Sequence, residues 1–182
     1  MLYLNLFTIF YLLICVNGKE YKAVDDLDVT KYLGKWYQVY KDSFNRLFQS
    51  NGKCAFAEYS ILDDDDDISV YNQQLNNDNK IESIDGYAYY KDGDCCGYLT
   101  VMLENNPEAP YWVLELGPVV DNYYDYSIVS DNNALSLFVL TRNVDRFYEL
   151  YNDDVLISLD EFGFNKLYNS PIEMNQTNCS AV

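Results

Sequence analysis

Short runs rich in Tyr, Val, Ile, Leu and Phe recur after residue 30, and clusters of Asn, Asp and Gly separate them at intervals of about ten residues. Such runs are typical of antiparallel strands joined by hairpins. Eight candidate strands follow this pattern, at Trp36–Lys41, Lys53–Leu62, Asp67–Leu75, Ile81–Tyr90, Tyr98–Glu104, Tyr111–Leu116, Asp125–Ser130 and Leu135–Arg142. Eight hairpin-connected strands are enough to close a barrel without exposed edges, although a two-sheet sandwich has the same periodicity. The predicted fold class is all-β, an eight-stranded antiparallel up-and-down β-barrel.

The apolar pattern changes its period after the eighth strand. Asn152 is a candidate helix cap, apolar residues recur at helical spacing as far as Phe162, and Gly163 can end the helix. A short ninth strand is predicted near Leu167–Ile172, where Pro171 confines it to an edge or a strand end. One carboxyl-terminal α-helix and a short strand therefore follow the barrel.

The amino end has the pattern of a secretory signal peptide over residues 1–18. A continuous apolar run from Leu2 to Val16, broken only by Asn5 and Thr8, precedes small or polar residues and the first charges. The run is shorter than the roughly 20 residues of a transmembrane helix. An uncleaved anchor is the alternative, because no Lys or Arg precedes the run. We expect a secreted, extracellular chain whose residues 19–182 form a single domain.

Charge excludes two classes of partner. The chain carries 12 Lys and Arg against 29 Asp and Glu, a net charge of −17. Nucleic acid and anionic membrane surfaces both require a basic face. No later segment is long and apolar enough for a transmembrane anchor, and the carboxyl end lacks the hydrophobic tail that directs a lipid anchor.

Catalysis and metal binding are also disfavoured. The sequence has no histidine, which removes a Ser-His-Asp triad, a Cys-His pair and a histidine haem ligand. Without histidine or paired CxxC motifs a structural zinc site is not expected. The five aspartates at 63–67 lack the spacing of a calcium loop and are interpreted as a solvated hairpin tip. The chain is predicted to be no enzyme and to carry no metal or cofactor.

Residues from two distant segments are predicted to close the base of the barrel. In "YLGKWYQVY", Gly34 allows the chain to turn in closely, and Trp36 is a flat plug for the base of the barrel. Arg142, at the end of the eighth strand in "FVLTRN", can stack on the indole as a cation. These three residues form the predicted barrel floor.

These residues resemble the signature of the lipocalin family, a GxW at the first strand and an Arg ending the eighth. The middle signature is matched only loosely by "DNYYDYSIV", which has no Thr before its Asp. In order, "DVTKYLGKWYQV", "NGKCAFAEYSI", "APYWVLELG", "VLTRN" and "PIEMNQTNC" are similar to the apolipoprotein D and bacterial lipocalin group. The resemblance implies a carrier of a small hydrophobic molecule, such as a lipid, fatty acid, steroid, retinoid or bilin.

The cysteines left after residue 18 are Cys54, Cys95, Cys96 and Cys179, and their number alone allows three pairings. The resemblance implies a bridge between Cys54 and Cys179. For the adjacent Cys95 and Cys96 we favour a vicinal disulfide, because secreted thiols are usually oxidised; a link to another subunit and free thiols are the alternatives.

Side chains alternate between the inside and the outside of a barrel, which yields candidates for the cavity lining once Trp36 and Arg142 point inward. Counting from these two residues, and using the resemblance for the second strand, gives Gln38, Tyr40, Ala55, Ala57, Tyr59, Ser136, Phe138 and Leu140. Further candidates are Val70, Asn72, Tyr87, Tyr89 and Trp112. An apolar and aromatic lining with a few polar groups suits a small hydrophobic ligand.

The alternative function is a filled barrel that acts through its surface, as a homodimer or by binding a cell-surface receptor. A lipocalin-type enzyme is a less favoured alternative. Asn175 in "NQT" matches the acceptor pattern for glycosylation.

Overall fold

The computed structural model describes residues 20–42, 52–62 and 67–179. The predicted signal peptide at residues 1–18 and most of the five-aspartate turn lie outside the described residues.

Eight strands form a closed antiparallel barrel, as predicted. They are β1 (Gly34–Lys41), β2 (Lys53–Ile61), β3 (Ile68–Leu75), β4 (Ile81–Tyr89), β5 (Tyr98–Leu103), β6 (Ala109–Leu116), β9 (Tyr126–Ser130) and β10 (Leu137–Thr141). Consecutive barrel strands pair with each other, and β10 pairs with β1 to close the ring. Closure pairs the backbone groups that an open sheet would leave exposed at its edges.

The short elements outside the barrel were only partly predicted. The small hairpin of β7 (Val119–Val120) and β8 (Tyr123–Tyr124) was not expected. The ninth strand is β11 (Ile172–Glu173), which lies beyond Pro171 rather than before it and pairs with the end of β1 at Tyr40 and Lys41. Proline has no N–H to donate to a ladder, so pairing begins only after it.

The described residues also form three helices, α1 (Val29–Tyr32), α2 (Val144–Leu150) and α3 (Asn152–Glu161). The prediction of Asn152 as a cap was wrong, because Tyr151 ends α2 and begins α3 directly. The side chain of Asn152 instead accepts a hydrogen bond from Tyr40. Gly163 follows the end of α3 with a φ of 90°, the left-handed conformation that suits glycine after a helix. In the described part of the chain no helix is long and apolar enough to cross a membrane.

Two separate apolar clusters follow from strand alternation. Trp36, Tyr59, Val70 and Leu140 belong to a cluster inside the barrel. Residues on the outer faces of β1, β9 and β10, such as Val39, form the second cluster with α2 and α3. The helices α2 and α3 therefore pack on the outside of the barrel, whereas Tyr32 of α1 belongs to the inner cluster.

The floor of the barrel has the predicted partners. The Arg142 guanidinium lies 3.6 Å from the centre of the Trp36 ring, and Trp36 is fully buried. Arg142 donates hydrogen bonds to carbonyl oxygens of the segment before and within β1 and of β8, at Lys31, Tyr32, Leu33, Lys35 and Tyr124. Gly34 has a φ of 92°, and a Cβ there would lie 3.4 Å from Arg142 Nη1. The end of the last strand is thus tied to the beginning of the first.

The disulfide between Cys54 and Cys179 is present, with a Cα separation of 5.4 Å, as the resemblance implied. It joins the beginning of β2 to the carboxyl-terminal segment. Gln176 strengthens this attachment, since its Nε2 donates to the carbonyl oxygens of Gln38 and Ala55.

The predicted vicinal disulfide was wrong, because Cys95 and Cys96 are both free thiols. Adjacent Cα atoms are about 3.8 Å apart across a trans peptide, whereas bridged cysteines usually have Cα atoms at least about 4.4 Å apart. The described residues contain no cis peptide bond. A bridge would therefore require distortion of this loop between β4 and β5.

Removing the cation from the floor is expected to destabilise the barrel. We expect Arg142→Ala to lower the free energy of unfolding by about 3 kcal/mol, because several carbonyl oxygens lose a charged donor. Arg142→Lys keeps the charge but not the planar fork, so it should recover only part of this loss. Urea denaturation measures the effect, with Lys80→Ala at an exposed turn as the control. A loss below about 1 kcal/mol for Arg142→Ala would contradict the role of the floor.

Reduction tests the assignment of the cysteines. The chain of residues 19–182 is expected to gain two hydrogens in intact mass on reduction, and a gain of four would restore the vicinal bridge. We expect Cys179→Ser to lower the free energy of unfolding by about 4 kcal/mol, because the bridge closes a long loop. The double variant Cys95→Ser, Cys96→Ser is the control and should leave stability unchanged.

Candidate ligand-binding site

The inner face of β2 and β3 carries four of the predicted lining residues. Ala57 is directly opposite Asn72, and Tyr59 is directly opposite Val70. Residues directly opposite in an antiparallel pair project from the same face of the sheet. Because Ala57, Tyr59 and Val70 belong to the inner cluster, Asn72 also faces the interior.

Where β1 meets β10, three further predicted residues face inward. Gln38 is opposite Leu140, which packs in the inner cluster with Phe138. The Gln38 side chain is buried, and its Nε2 donates to the carbonyl oxygen of Tyr40 over 3.3 Å. Ala55 is buried near the beginning of β2, and Ser136 lies immediately before β10, where its carbonyl oxygen accepts from Ser130.

Tyr40 does not face the interior, contrary to the prediction. The register of β1 against β10 shifts between Gln38 and Tyr40, so that Gln38 is opposite Leu140 while Tyr40 is opposite Val139. A β-bulge adds one residue to a strand and changes which residues lie on each face beyond it. Tyr40 consequently packs in the outer cluster, and its hydroxyl donates to Asn152 Oδ1 over 2.7 Å.

Tyr87 and Tyr89 also project outward, because Ala88 between them belongs to the inner cluster. Their rings pack together with centres 5.7 Å apart. The Tyr87 hydroxyl contacts Met102 Sδ, and that of Tyr89 donates to Glu108. Neither tyrosine lines the interior.

Trp112 is the remaining predicted lining residue that the structure places outside. It packs between the rings of Tyr21 and Tyr98, with centres 6.3 and 4.9 Å away. Tyr111 and Val113, its neighbours in β6, belong to the inner cluster instead. The prediction of Trp112 as a lining residue was therefore wrong, because it lies on the outer face of the strand.

Two tyrosines that the sequence analysis did not select lie above the floor of the barrel. Tyr32, from α1, packs against Trp36 with ring centres 5.0 Å apart and stacks on Tyr59 at 5.7 Å. Its hydroxyl lies 2.9 Å from that of Tyr111, which in turn lies 3.0 Å from that of Tyr59. Tyr32 stands four residues before Trp36, and its carbonyl oxygen accepts from the indole N–H. Alternation within β6 would have indicated Tyr111 once Trp112 was placed outside.

The three phenol groups remain neutral in this environment. Burial raises the pKa of Tyr32 to about 12, and it raises the pKa values of Tyr59 and Tyr111 well above that of an ordinary phenol. The charged form is disfavoured because it would lose its hydration inside the barrel. The deep end of the interior therefore presents uncharged hydroxyl groups.

A narrow cavity adjoins these hydroxyl groups. Its seven lining residues are Tyr32, Tyr59, Ile68, Val70, Ala88, Leu99 and Tyr111. The volume of the cavity is about 10 Å³, which is roughly the room of one water molecule. This deep end is thus shaped for a slender group.

Comparison with known proteins agrees with this architecture. The family model described as "Lipocalin-like domain" matches residues 27–164. Outer membrane lipoprotein Blc of Vibrio cholerae serotype O1 is 30% identical over 156 residues, which cover 77% of this chain and 88% of that protein. Apolipoprotein D of Oryctolagus cuniculus is 34% identical over 108 residues, or 58% of this chain and 51% of that protein. The match thus spans about half the length of that apolipoprotein D.

Solved structures share the fold at lower identity. Insecticyanin from the tobacco hornworm Manduca sexta superposes with a TM-score of 0.62 at 18% identity, covering 86% of this chain and 84% of that one. Lobster apocrustacyanin A1 gives a TM-score of 0.57 at 20% identity, covering 81% and 78%. The matched residues 27–164 include Gly34, Trp36 and Arg142 of the floor and all eight barrel strands. This chain belongs to the lipocalin family.

Proposed function

We propose that this chain is a secreted extracellular carrier that binds a small hydrophobic molecule in the cavity of its barrel. The observation that carries the proposal is the inner surface itself. Apolar residues such as Val70, Phe138 and Leu140 dominate it, while Asn72 and Gln38 supply isolated polar groups. A few polar groups on an apolar wall orient a small ligand and exclude strongly hydrated ones.

Membership of the family supports the same function, since lipocalins bind small hydrophobic ligands. Lipids, fatty acids, steroids, retinoids and bilins are the classes we propose to test. The carrier proteins among the relatives also support a role in binding rather than in catalysis.

Secretion rests on two separate features. Residues 1–18 have the pattern of a signal peptide. The bridge between Cys54 and Cys179 is of a kind that persists in oxidising compartments. We also propose Asn175 as a glycosylation site, since its side chain is on the surface, where its Oδ1 accepts hydrogen bonds from Thr177.

Recognition of another protein is a second candidate function, as a homodimer or with a cell-surface receptor. It is favoured by the outer face of β4 and β5, where Tyr87 is 37% and Met102 is 38% exposed. Tyrosine and methionine are enriched in protein interfaces. Sedimentation of the wild-type chain and of Tyr87→Ser would separate a homodimer through this face from a monomer.

A charged side chain on the inner wall is expected to weaken ligand binding. The first measurement is mass spectrometry of small molecules extracted from the natively secreted protein, and the second is titration of the emptied protein with the class that is found. We expect Phe138→Asp to weaken binding at least about tenfold, because the carboxylate keeps its water in the cavity. Tyr87→Asp on the outer face of β4 is the matched control. Equal affinity of both variants and the wild type would contradict binding inside the barrel.

Fluorescence locates the bound molecule independently. The chain has two tryptophans, of which Trp36 lies at the floor and Trp112 on the outer face. In the variant Trp112→Phe only Trp36 emits, and we expect a ligand in the barrel to quench most of that emission. Failure of fatty acids, steroids, retinoids and bilins to change the emission would favour a filled barrel.

A further inference from the structure

Four hydroxyl groups form a continuous chain of hydrogen bonds inside the barrel. The Tyr59 hydroxyl lies 3.0 Å from that of Tyr111, which lies 2.9 Å from that of Tyr32. The Tyr32 hydroxyl lies 3.0 Å from Ser127 Oγ. The order is therefore Tyr59, Tyr111, Tyr32 and Ser127, with one group at each end and two in the middle.

The number of hydrogen atoms in this chain leaves one to spare. Each hydroxyl has one hydrogen to donate and two lone pairs to accept with. Three contacts between four hydroxyls use three hydrogens, so one hydrogen has no acceptor within the chain. Because every contact can be donated from either side, rotation of the hydroxyls can place that hydrogen at either end.

Only one end of this chain of hydroxyl groups belongs to a residue that lines the small cavity. Tyr32 and Tyr111 each have two hydroxyl partners, whereas among the described residues Tyr59 has only the hydroxyl of Tyr111. Tyr59 lines the deep cavity, and Ser127, at the other end, is fully buried and is not part of that lining. The Tyr59 hydroxyl is thus the place where a guest can complete the chain.

We propose that the ligand enters with its polar end first and places a neutral oxygen, from a ketone or an alcohol, against the hydroxyl of Tyr59. This inference rests on the proposed carrier function and specifies the ligand of that same cavity. A ketone oxygen accepts the spare hydrogen when each hydroxyl group donates to its neighbour in the direction of Tyr59. An alcohol donates to the Tyr59 oxygen when each hydroxyl group donates to its neighbour in the direction of Ser127. The same four hydroxyl groups can therefore bind either kind of oxygen.

The surroundings select an uncharged and slender end. The seven residues that line the deep cavity include no cationic side chain. A carboxylate placed there would lose its hydration without gaining an opposite charge. Ile68, Ala88 and Leu99 form an apolar wall of the same small cavity, which suits the end of an aliphatic chain better than a ring system.

Calorimetry of three ligands with equally long carbon chains tests this proposal. The ligands are 2-dodecanone, 1-dodecanol and dodecanoate, and each is titrated into the full mature protein. We expect Tyr59→Phe to weaken binding of the ketone and the alcohol about fivefold, which corresponds to one hydrogen bond between neutral groups. Binding of dodecanoate should change by less than about twofold, since its carboxylate remains in water at the mouth of the barrel. Tyr87→Phe, on the outer face, is the control for loss of a tyrosine hydroxyl.

A second variant separates the contact at Tyr59 from a general disturbance of the interior. Tyr111→Phe interrupts the chain but leaves the Tyr59 hydrogen free for an acceptor, so the ketone should keep its affinity within about twofold. Wild-type binding of all three probes with no selective effect of Tyr59→Phe overturns the inference and leaves the carrier function standing. Absence of binding of any hydrophobic probe to the wild type overturns the carrier function, and the inference with it.

Discussion

The contact between Arg142 and Trp36 is the interaction on which the rest of the structure depends. One guanidinium group covers the indole and binds carbonyl oxygens before and within β1 and in β8. It thereby joins segments more than a hundred residues apart at the point where the barrel must close. A cation in this position is tolerated because carbonyl oxygens and the ring face replace its water. Burial still lowers the pKa of Arg142 to about 10.

The floor also positions the hydroxyl groups of the interior. Trp36 supports the ring of Tyr32, which stacks on Tyr59 and reaches Tyr111 through its hydroxyl. A deep end made only of aliphatic residues would accept any apolar group of the right size. Buried hydroxyl groups discriminate instead, because an unpaired polar group in an apolar environment costs free energy. The chemistry of the site therefore depends on the same contacts that stabilise the fold.

The lining was predicted well, from strand alternation and from the family resemblance, where the strands are regular. Ala57, Tyr59, Val70 and Asn72 lie in a stretch of β2 and β3 with an uninterrupted register, and all four face inward. The prediction that Tyr40 faces inward was wrong, because a bulge in β1 follows Gln38. A bulge depends on how two strands meet, and the residues of a single strand carry little sign of it.

The pattern of short strands and turns determined the barrel, and Gly34, Trp36 and Arg142 determined its closed end. These features were accessible because each is either local or a signature of distinctive residue types. The tertiary structure alone decided the inner and outer faces of β4 and β6, the state of Cys95 and Cys96, and the meeting of Tyr32, Tyr59 and Tyr111. Those outcomes depend on strand register and on contacts between distant segments. A shift of one residue in the register would move each side chain to the opposite face of the sheet.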